Sequence, residues 1–383
     1  MQLSFGILSI IAFYVILALL VYKHRKNIEF HKIFLLFKTK RGIELMTSLS
    51  KSRFWKYYGY AAIPVGFAGM IFILYFLVTK LIKFLMHPQT AEKTLQIILP
   101  WDSAASSGPF LFVPFWTFLT AIAILVIVHE GSHGVVALAH KLKLKSTGLG
   151  MFLFIPLAFV EPDEKQLEKA STRSQLSVFA AGPFANFCTA AIFLAIFTFM
   201  ITPASNAVFI NEGIHVVGLE PDQPAILSGL EVGDIILSVN GQETHNMDEF
   251  VNVMTAISPE EEITILTNTK EVTLTTGANK QDSSRAHIGV SILQNQEPKE
   301  SYGSIIPKIL LSLQNLFYWV ILFNIGIGLF NLLPLGPVDG GRMLKSLLLR
   351  LIKDEKVANK LWVVISTFTL LVLIASFIGS ALA

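Results

Sequence analysis

The chain has 383 residues, of which 53% are hydrophobic and only 15% are charged, and its formal net charge is +3. Soluble globular domains average about 25% charged residues, so this composition argues against a soluble protein and indicates a membrane protein. The basic excess does not indicate a nucleic-acid partner, because the Lys and Arg residues follow a pattern of membrane topology. The single cysteine, Cys188, excludes an internal disulfide and is expected to be a small core residue.

Six apolar stretches approach or exceed the roughly 20 residues that a membrane helix requires. In chain order they are 3–22, 59–84, 112–138, 175–202, 308–334 and 360–381. The first has no basic segment before it, so we interpret it as a retained span rather than a cleaved signal peptide. A shorter apolar stretch, 147–160, is interrupted by Gly and Pro and predicts a re-entrant, hairpin-like segment, which must be packed in protein or line a wet cavity.

The charges between the spans predict an orientation. Segment 23–58 holds ten Lys and Arg against two acids, and segments 141–173 and 342–360 hold six basic residues each. Segment 203–305 instead holds four basic and fifteen acidic residues. Because basic residues favour cytoplasmic loops, these counts predict both termini outside and 203–305 outside. The basic loop 23–58 is expected to lie on anionic headgroups.

Segment 203–305 also differs from the rest of the chain in composition. It is polar and contains short β-like runs separated by turn residues, at Ile214–Leu219, Ile235–Val239, Glu262–Leu266 and Glu271–Thr275. Its length is sufficient for one small soluble domain. We therefore predict an inserted soluble domain between the fourth and fifth spans.

The chemistry-bearing motif is His129-Glu130-Gly131-Ser132-His133, which directly follows the apolar run 121–128. Residues i and i+4 of a helix share a face, so both imidazoles can bind one metal ion, with Glu130 beside them to act on water. Ionisable groups within a span are costly and usually functional. The alternative is an ordinary polar cluster at the headgroup level.

A catalytic zinc site needs a third protein ligand, and the best candidate is Asp339. It follows the fifth span, after Pro334 and Pro337, which would break the helix, and before two glycines that permit close backbone approach. At about 1.5 Å rise per residue, the predicted orientation places it at a depth similar to that of the histidines. Asp339 can equally be the N-cap of a following helix, and His140 is expected to be interfacial rather than a ligand.

With these motifs the sequence resembles the site-2 protease family of intramembrane zinc metalloproteases, from about residue 112 to 342. Four features carry the resemblance: the HExxH helix, Gly182-Pro183-Phe184-Ala185-Asn186 in the next span, the Asn331–Asp339–Gly340 segment, and an intervening domain similar to a PDZ domain over 218–241.

The resemblance implies one Zn²⁺ per chain, held by His129, His133 and Asp339, with Glu130 as the general base. It also implies that Asn186 and Asn331 are polar supports near the site, with Gly182 and Pro183 close by. Each has a simpler interpretation: a membrane Asn often only links helices, and Gly182 and Pro183 often serve helix packing or a helix break.

The predicted fold is thus a polytopic α-helical membrane protein with about six transmembrane helices, a re-entrant β-hairpin-like segment and one inserted PDZ-like α+β domain. Residues 1–108 are expected to form two N-terminal spans with a basic loop, and residues 109–203 the first half of a catalytic membrane core. Residues 204–300 are expected to form the extracytoplasmic domain, and residues 301–383 the second half of the membrane core. The expected location is the plasma membrane of a prokaryote, with the active site near the cytoplasmic side.

The function that the resemblance implies is hydrolysis of peptide bonds within or next to transmembrane segments of membrane-protein substrates. The alternative is a catalytically inactive membrane adaptor of the same fold, which would bind partners through the PDZ-like domain. A protease for prenylated tails is disfavoured, because it would carry a Glu-bearing third-ligand motif. A zinc transporter is disfavoured, because the first two spans offer few polar residues.

Overall fold

The computed structural model describes residues 5–23, 28–31, 34–40, 42–87, 95–100, 110–152, 155–279 and 282–382. The chain divides into two compact units. The first combines Met1–Ile196 with Asn315–Ala383, and the second is Phe197–Gln314. The second unit includes residues outside the 204–300 segment that composition predicts, namely 197–203 before it and 301–314 after it.

The helices of the first unit are, in chain order, α1 (Phe5–Lys23), α2 (Ile43–Ser50), α3 (Phe54–Met86), α4 (Phe115–Ala139), α5 (Glu164–Lys169) and α6 (Thr172–Ile196). A π-helical turn, Phe197–Ile201, and the helices α7 (Thr202–Val208), α8 (Pro224–Leu227) and α9 (Met247–Ala256) follow in the second unit. The last three helices are α10 (Ile305–Asn331), which begins in the second unit, α11 (Asp339–Leu351) and α12 (Glu355–Leu382).

Within the described residues, five helical runs are long and apolar enough to cross a membrane: Phe54–Met86, Phe115–Ala139, Thr172–Val208, Ile305–Asn331 and Glu355–Ala381. They correspond to the second through sixth predicted spans. The first predicted span forms the shorter apolar helix α1, so the total of six stays a prediction. The fifth span ends earlier than its apolar run, at Asn331.

Small residues allow the membrane helices to pack closely. A Cβ atom at Gly59 of α3 would lie 2.9 Å from Val136 Cγ1 of α4 and 3.1 Å from Ser177 Cβ of α6. Such small-residue contacts are the usual means by which membrane helices approach one another. Helix α3 therefore packs against the two helices that carry the predicted motifs.

A four-stranded antiparallel sheet completes the first unit, in the order β1-β2-β5-β6. Its strands are β1 (Ile28–His31), β2 (Phe34–Thr39), β5 (Leu144–Phe152) and β6 (Ile155–Pro162). The segment predicted as a hairpin thus forms two paired strands, while its re-entry into a membrane stays a prediction. The basic loop 23–58 contributes two strands and helix α2, which its charge pattern did not predict. A short parallel pair, β3 (Ile97–Pro100) and β4 (Phe110–Val113), precedes α4.

The second unit contains a sheet with the strand order β11-β10-β8-β7-β14, with β9 paired to β8. Its strands are β7 (Phe209–Leu219), β8 (Ile235–Val239), β9 (Gln242–Glu243), β10 (Glu262–Thr267), β11 (Glu271–Thr275) and β14 (Val290–Pro298); β12 (Gly277–Ala278) and β13 (Ala286–His287) form a separate pair. All four predicted β-like runs are strands. The unit has its own hydrophobic core, in which Ile214, Val216 and Ile236 are fully buried.

Candidate metal centre

The two histidines of the HExxH motif lie on one face of α4 and are buried, with 7% of His129 and 9% of His133 exposed. Their spacing of four residues places the rings one above the other. The Nε2 atoms of the two rings are 3.2 Å apart. Both nitrogens therefore face the same point in space, as the sequence predicts.

Asp339 brings a carboxylate to the same point. Its Oδ2 atom lies 3.2 Å from His129 Nε2 and 3.3 Å from His133 Nε2. Asp339 is the first residue of α11, and the N-cap residue is Val338, which makes no side-chain capping bond. The N-cap alternative for Asp339 is therefore not what the structure contains.

The turn before α11 explains how a residue beyond the fifth span reaches the histidines. Pro334 and Pro337 cannot continue a helix, and the chain folds back over residues 332–338. A Cβ atom at Gly340 would collide with the Leu332 carbonyl group, so glycine is required there for the close approach. On the other side, the Trp362 indole donates to the Gly341 carbonyl oxygen at 2.9 Å and ties α12 to the start of α11.

The spacing of the three candidate ligand atoms fits a zinc ion. Tetrahedral zinc with bonds of about 2.0–2.1 Å to nitrogen and oxygen separates neighbouring ligand atoms by about 3.3–3.4 Å. The three separations here are 3.2, 3.2 and 3.3 Å. Two imidazoles and one carboxylate are the donor set of a catalytic rather than a structural zinc site.

The far ring nitrogens of both histidines are held in place. His133 Nδ1 lies 2.6 Å from the Val178 carbonyl oxygen, a contact that requires a proton on Nδ1 and leaves Nε2 as a lone-pair donor. His129 Nδ1 lies 3.1 Å from the side-chain nitrogen of Asn186, whose Oδ1 is buried without a hydrogen-bond partner. Rotating this amide by half a turn would make Oδ1 the acceptor for a protonated Nδ1, which is the arrangement that metal binding through Nε2 demands.

Gly182 and Pro183 lie on α6, opposite the histidines. A Cβ atom at Gly182 would lie 2.7 Å from His129 Nε2 and would collide with His133 Nε2. Glycine at this position is therefore needed to leave space for the ligand atoms, beyond any role in helix packing. Pro183 is buried inside the helix and lacks the N–H that would bond to the carbonyl of Phe179.

Glu130 points toward the hairpin. Its Oε2 atom accepts a hydrogen bond of 3.2 Å from the backbone N–H of Val160 on β6. Glu130, the three candidate ligands and Asn331 line one cavity of about 300 Å³. Asn331 thus lies at the site, where its side chain forms part of the cavity wall.

Three features of this site were not predicted from the sequence. Val178 contributes through a backbone carbonyl, and Val160 through a backbone N–H, for which no side-chain pattern exists. Arg342 also lines the cavity, and here a signal was present, because residue i+3 of α11 lies on the same helix face as Asp339.

The protein is therefore of the class of membrane proteins with a candidate HExxH metal centre. This follows from its helices of membrane-spanning length and from the three convergent candidate ligand atoms. The sequence model of peptidase family M50 matches residues 117–373, about two thirds of the chain. The chain therefore belongs to peptidase family M50, the site-2 protease family, which confirms the resemblance. Membership supports a metalloprotease.

Two relatives and two solved structures illustrate the similarity. An uncharacterized protein of Methanocaldococcus jannaschii is 28% identical over 335 residues, covering 85% of this chain and 81% of the relative. A protein of Clostridium perfringens that bears the name "putative zinc metalloprotease" is 23% identical over 303 residues, covering 62% of this chain and 88% of the relative. PDZ domains of SdrC-like proteins from Listeria monocytogenes and Listeria innocua match 21% and 22% of the chain and 88% and 97% of their own, at 20% and 22% identity and a TM-score of 0.20 each.

Proposed function

We propose that this protein is an intramembrane zinc metalloprotease that hydrolyses peptide bonds within or next to transmembrane segments of other membrane proteins. The observation that carries the proposal is the convergence of His129 Nε2, His133 Nε2 and Asp339 Oδ2 at tetrahedral zinc-ligand separations. It is supported by membership of a peptidase family and by the five apolar helices among the described residues. These three residues are the proposed ligands of one Zn²⁺ per chain.

The proposed division of labour follows from the chemistry of each group. When bound, zinc would lower the pKa of water to about 7 and polarise the scissile carbonyl. Glu130 takes the proton of the attacking water and returns it to the leaving amine. The Val160 N–H holds one carboxylate oxygen of Glu130, so that the other oxygen is directed to the proton transfer.

Asn186 and Val178 are proposed to be positioning groups. Each fixes the ring of one histidine through Nδ1, so that neither imidazole can rotate away from the ligand position. Gly182 keeps the adjacent volume free. Asn331 contributes a polar side chain to the cavity wall, where water must be present for hydrolysis.

The substrate is proposed to bind as an extended strand. A helical segment hides its carbonyl groups in hydrogen bonds, so it must unwind before cleavage. Within the described part of the sheet, β6 lies at the edge, and an edge strand can pair with an extended peptide. The Val160 N–H points away from β5 to Glu130, and by strand alternation the N–H of Ala158 points the same way.

We propose a prokaryotic plasma membrane as the location, as in the sequence analysis. The charge distribution supports an orientation with the metal centre near the cytoplasmic side and segment 203–305 outside. In this orientation the second unit is proposed to screen substrate ectodomains, so that only proteins already trimmed outside reach the metal centre.

The direct test uses purified wild type and the Glu130→Gln variant in detergent with a panel of transmembrane peptides. The amide keeps the size of the side chain but cannot accept the proton. We expect both proteins to bind about one zinc and only the wild type to cleave. If both bind zinc and neither cleaves any peptide, the protease proposal is contradicted and the adaptor alternative is favoured.

A further inference from the structure

A second, larger cavity adjoins the metal centre. It has a volume of about 650 Å³, and Glu130 and Val160 line both it and the smaller cavity that contains the candidate ligands. Its walls come from α2, the start of α3, α4, β5, β6 and α6, and they are mostly apolar; they include Met46, Leu49, Trp55, Tyr58, Val135 and Cys188. The general base thus stands between a polar compartment and an apolar one.

We propose that this apolar cavity is the specificity pocket of the protease and receives the bulky apolar side chains of the substrate next to the scissile bond. The inference rests on the proposed function and adds the substrate class to it. A carbonyl group attacked near Glu130 must place its neighbouring residues within a few ångströms of this cavity. A volume of 650 Å³ is within the range of about 300–1,000 Å³ typical of ligand pockets and accommodates more than one side chain.

The walls favour a peptide over a lipid acyl chain as the occupant. Ala158, Phe159 and Val160 of β6 form part of the cavity wall, so an extended peptide paired with this edge would project alternate side chains toward the cavity. An acyl chain would gain nothing from the backbone groups of an edge strand or from the carboxylate of Glu130.

The rim indicates how a membrane segment reaches the pocket. Four apolar side chains that line the cavity are also exposed, namely Leu45, Leu49, Phe54 and Ile127. In a bilayer these exposed faces contact acyl chains. A transmembrane segment can therefore move from lipid into the cavity without passing through water.

Gly131 offers a way to fill the pocket. It lies inside the HExxH motif and lines the cavity, and a Cβ atom built on it meets no atom within 4 Å. A larger side chain at this position would project into empty space and displace the substrate side chain. Gly326 of α10 is a matched control, since it is also helical, also without neighbours within 4 Å, and absent from the cavity wall.

The first experiment maps the scissile bond of a peptide that the wild type cleaves and replaces the flanking residues with Phe, Leu or Ala. We expect the wild type to prefer Phe or Leu, and Gly131→Leu to lower kcat/KM for these peptides by about 10-fold or more relative to the Ala peptide, since small changes of pocket volume are worth about 10–200-fold. Gly326→Leu should retain the wild-type preference. If an active Gly131→Leu enzyme keeps the wild-type preference for Phe or Leu, the cavity is not the specificity pocket. If the wild type cleaves no peptide, the proposed function itself is wrong.

The second experiment needs no turnover. Cys188 is the single cysteine of the chain, is half-buried and lines the cavity, so its alkylation by N-ethylmaleimide reports on occupancy. In zinc-loaded Glu130→Gln protein, a bound Phe or Leu peptide should slow alkylation more than an Ala peptide at equal occupancy. Peptide binding without any change in alkylation would overturn the proposal. The proposal would also be overturned if the alkylation rate depended on the acyl-chain length of the surrounding lipid and not on the peptide.

Discussion

The carboxylate of Glu130 and the backbone N–H of Val160 are joined by a hydrogen bond of 3.2 Å, which links the helix of the HExxH motif to the edge strand of the hairpin. The bond occupies one oxygen of the carboxylate and fixes the direction of the other. It also places the strand that is proposed to pair with substrate beside the group that is proposed to move the proton. The hydrogen bond thereby fixes the distance between the proposed substrate-pairing strand and the carboxylate that is proposed to move the proton.

Asn186 is predicted to strengthen zinc binding through His129. Replacing it with leucine removes the group that faces His129 Nδ1, and loss of such an outer hydrogen bond typically costs about 10- to 100-fold in metal affinity. Zinc affinity measured by competition with a chelator should fall by that amount. Asn324→Leu is the control, because Asn324 is an equally buried amide on α10 that bonds to the Val320 carbonyl instead. Equal effects of the two substitutions would contradict the role assigned to Asn186.

Gly182→Ala is predicted to disturb the metal centre. The added methyl group overlaps the Nε2 atoms of both histidines, and overpacking of this kind costs about 1–3 kcal/mol. We expect a lower zinc content per chain and a lower thermal transition temperature in detergent. Gly326→Ala adds the same methyl group in open space and should lower neither quantity, since alanine is more favourable than glycine in a helix interior. A Gly182→Ala protein with full zinc content would refute the steric argument.

The pairing of substrate with β6 predicts a specific effect of proline. Ala158→Pro removes the N–H that points away from β5 and leaves the ladder between the two strands intact, which an edge strand tolerates. Cleavage of transmembrane peptides should be strongly reduced while zinc content is retained. Ala158→Val keeps the N–H and should remain active. Undiminished cleavage by the proline variant would rule out strand pairing at this position.

Replacement of residues 209–299 by a short flexible linker tests the second unit as a filter. This segment contains the main hydrophobic core of the inserted sheet, with Ile214, Val216 and Ile236 fully buried. We expect substrates with intact ectodomains to be cleaved along with trimmed ones. If the shortened protein shows the same selectivity as the full chain, the screening role is wrong.

The sequence predicted the parts of the site that depend on local spacing. His129 and His133 share a helix face because they are four residues apart, and Asp339 follows a proline-rich helix break that turns the chain back. The strands of the second unit were also predictable, since their apolar runs are bounded by turn residues.

Other features depend on contacts between segments that are distant along the chain. The pairing of β2 with β5 joins Thr39 to Thr147, and nothing in the basic loop indicated that partner. Val178 and Val160 act through backbone groups, which carry no sequence signal. The steric role of Gly182 depends on the position of the facing helix α4. The sequence therefore indicated that the glycine lies near the site but not that it leaves space for the histidines.

X-ray absorption at the zinc edge of the purified Glu130→Gln protein tests the metal centre itself. We expect about one zinc per chain, bound by two imidazole nitrogens at about 2.0–2.1 Å and by oxygen ligands at about 2.0–2.2 Å. Substitution of Asp339 by asparagine should weaken the binding, and alanine at both histidines should abolish it. Absence of zinc, or zinc that remains bound without the histidines, would contradict the metal centre formed by His129, His133 and Asp339.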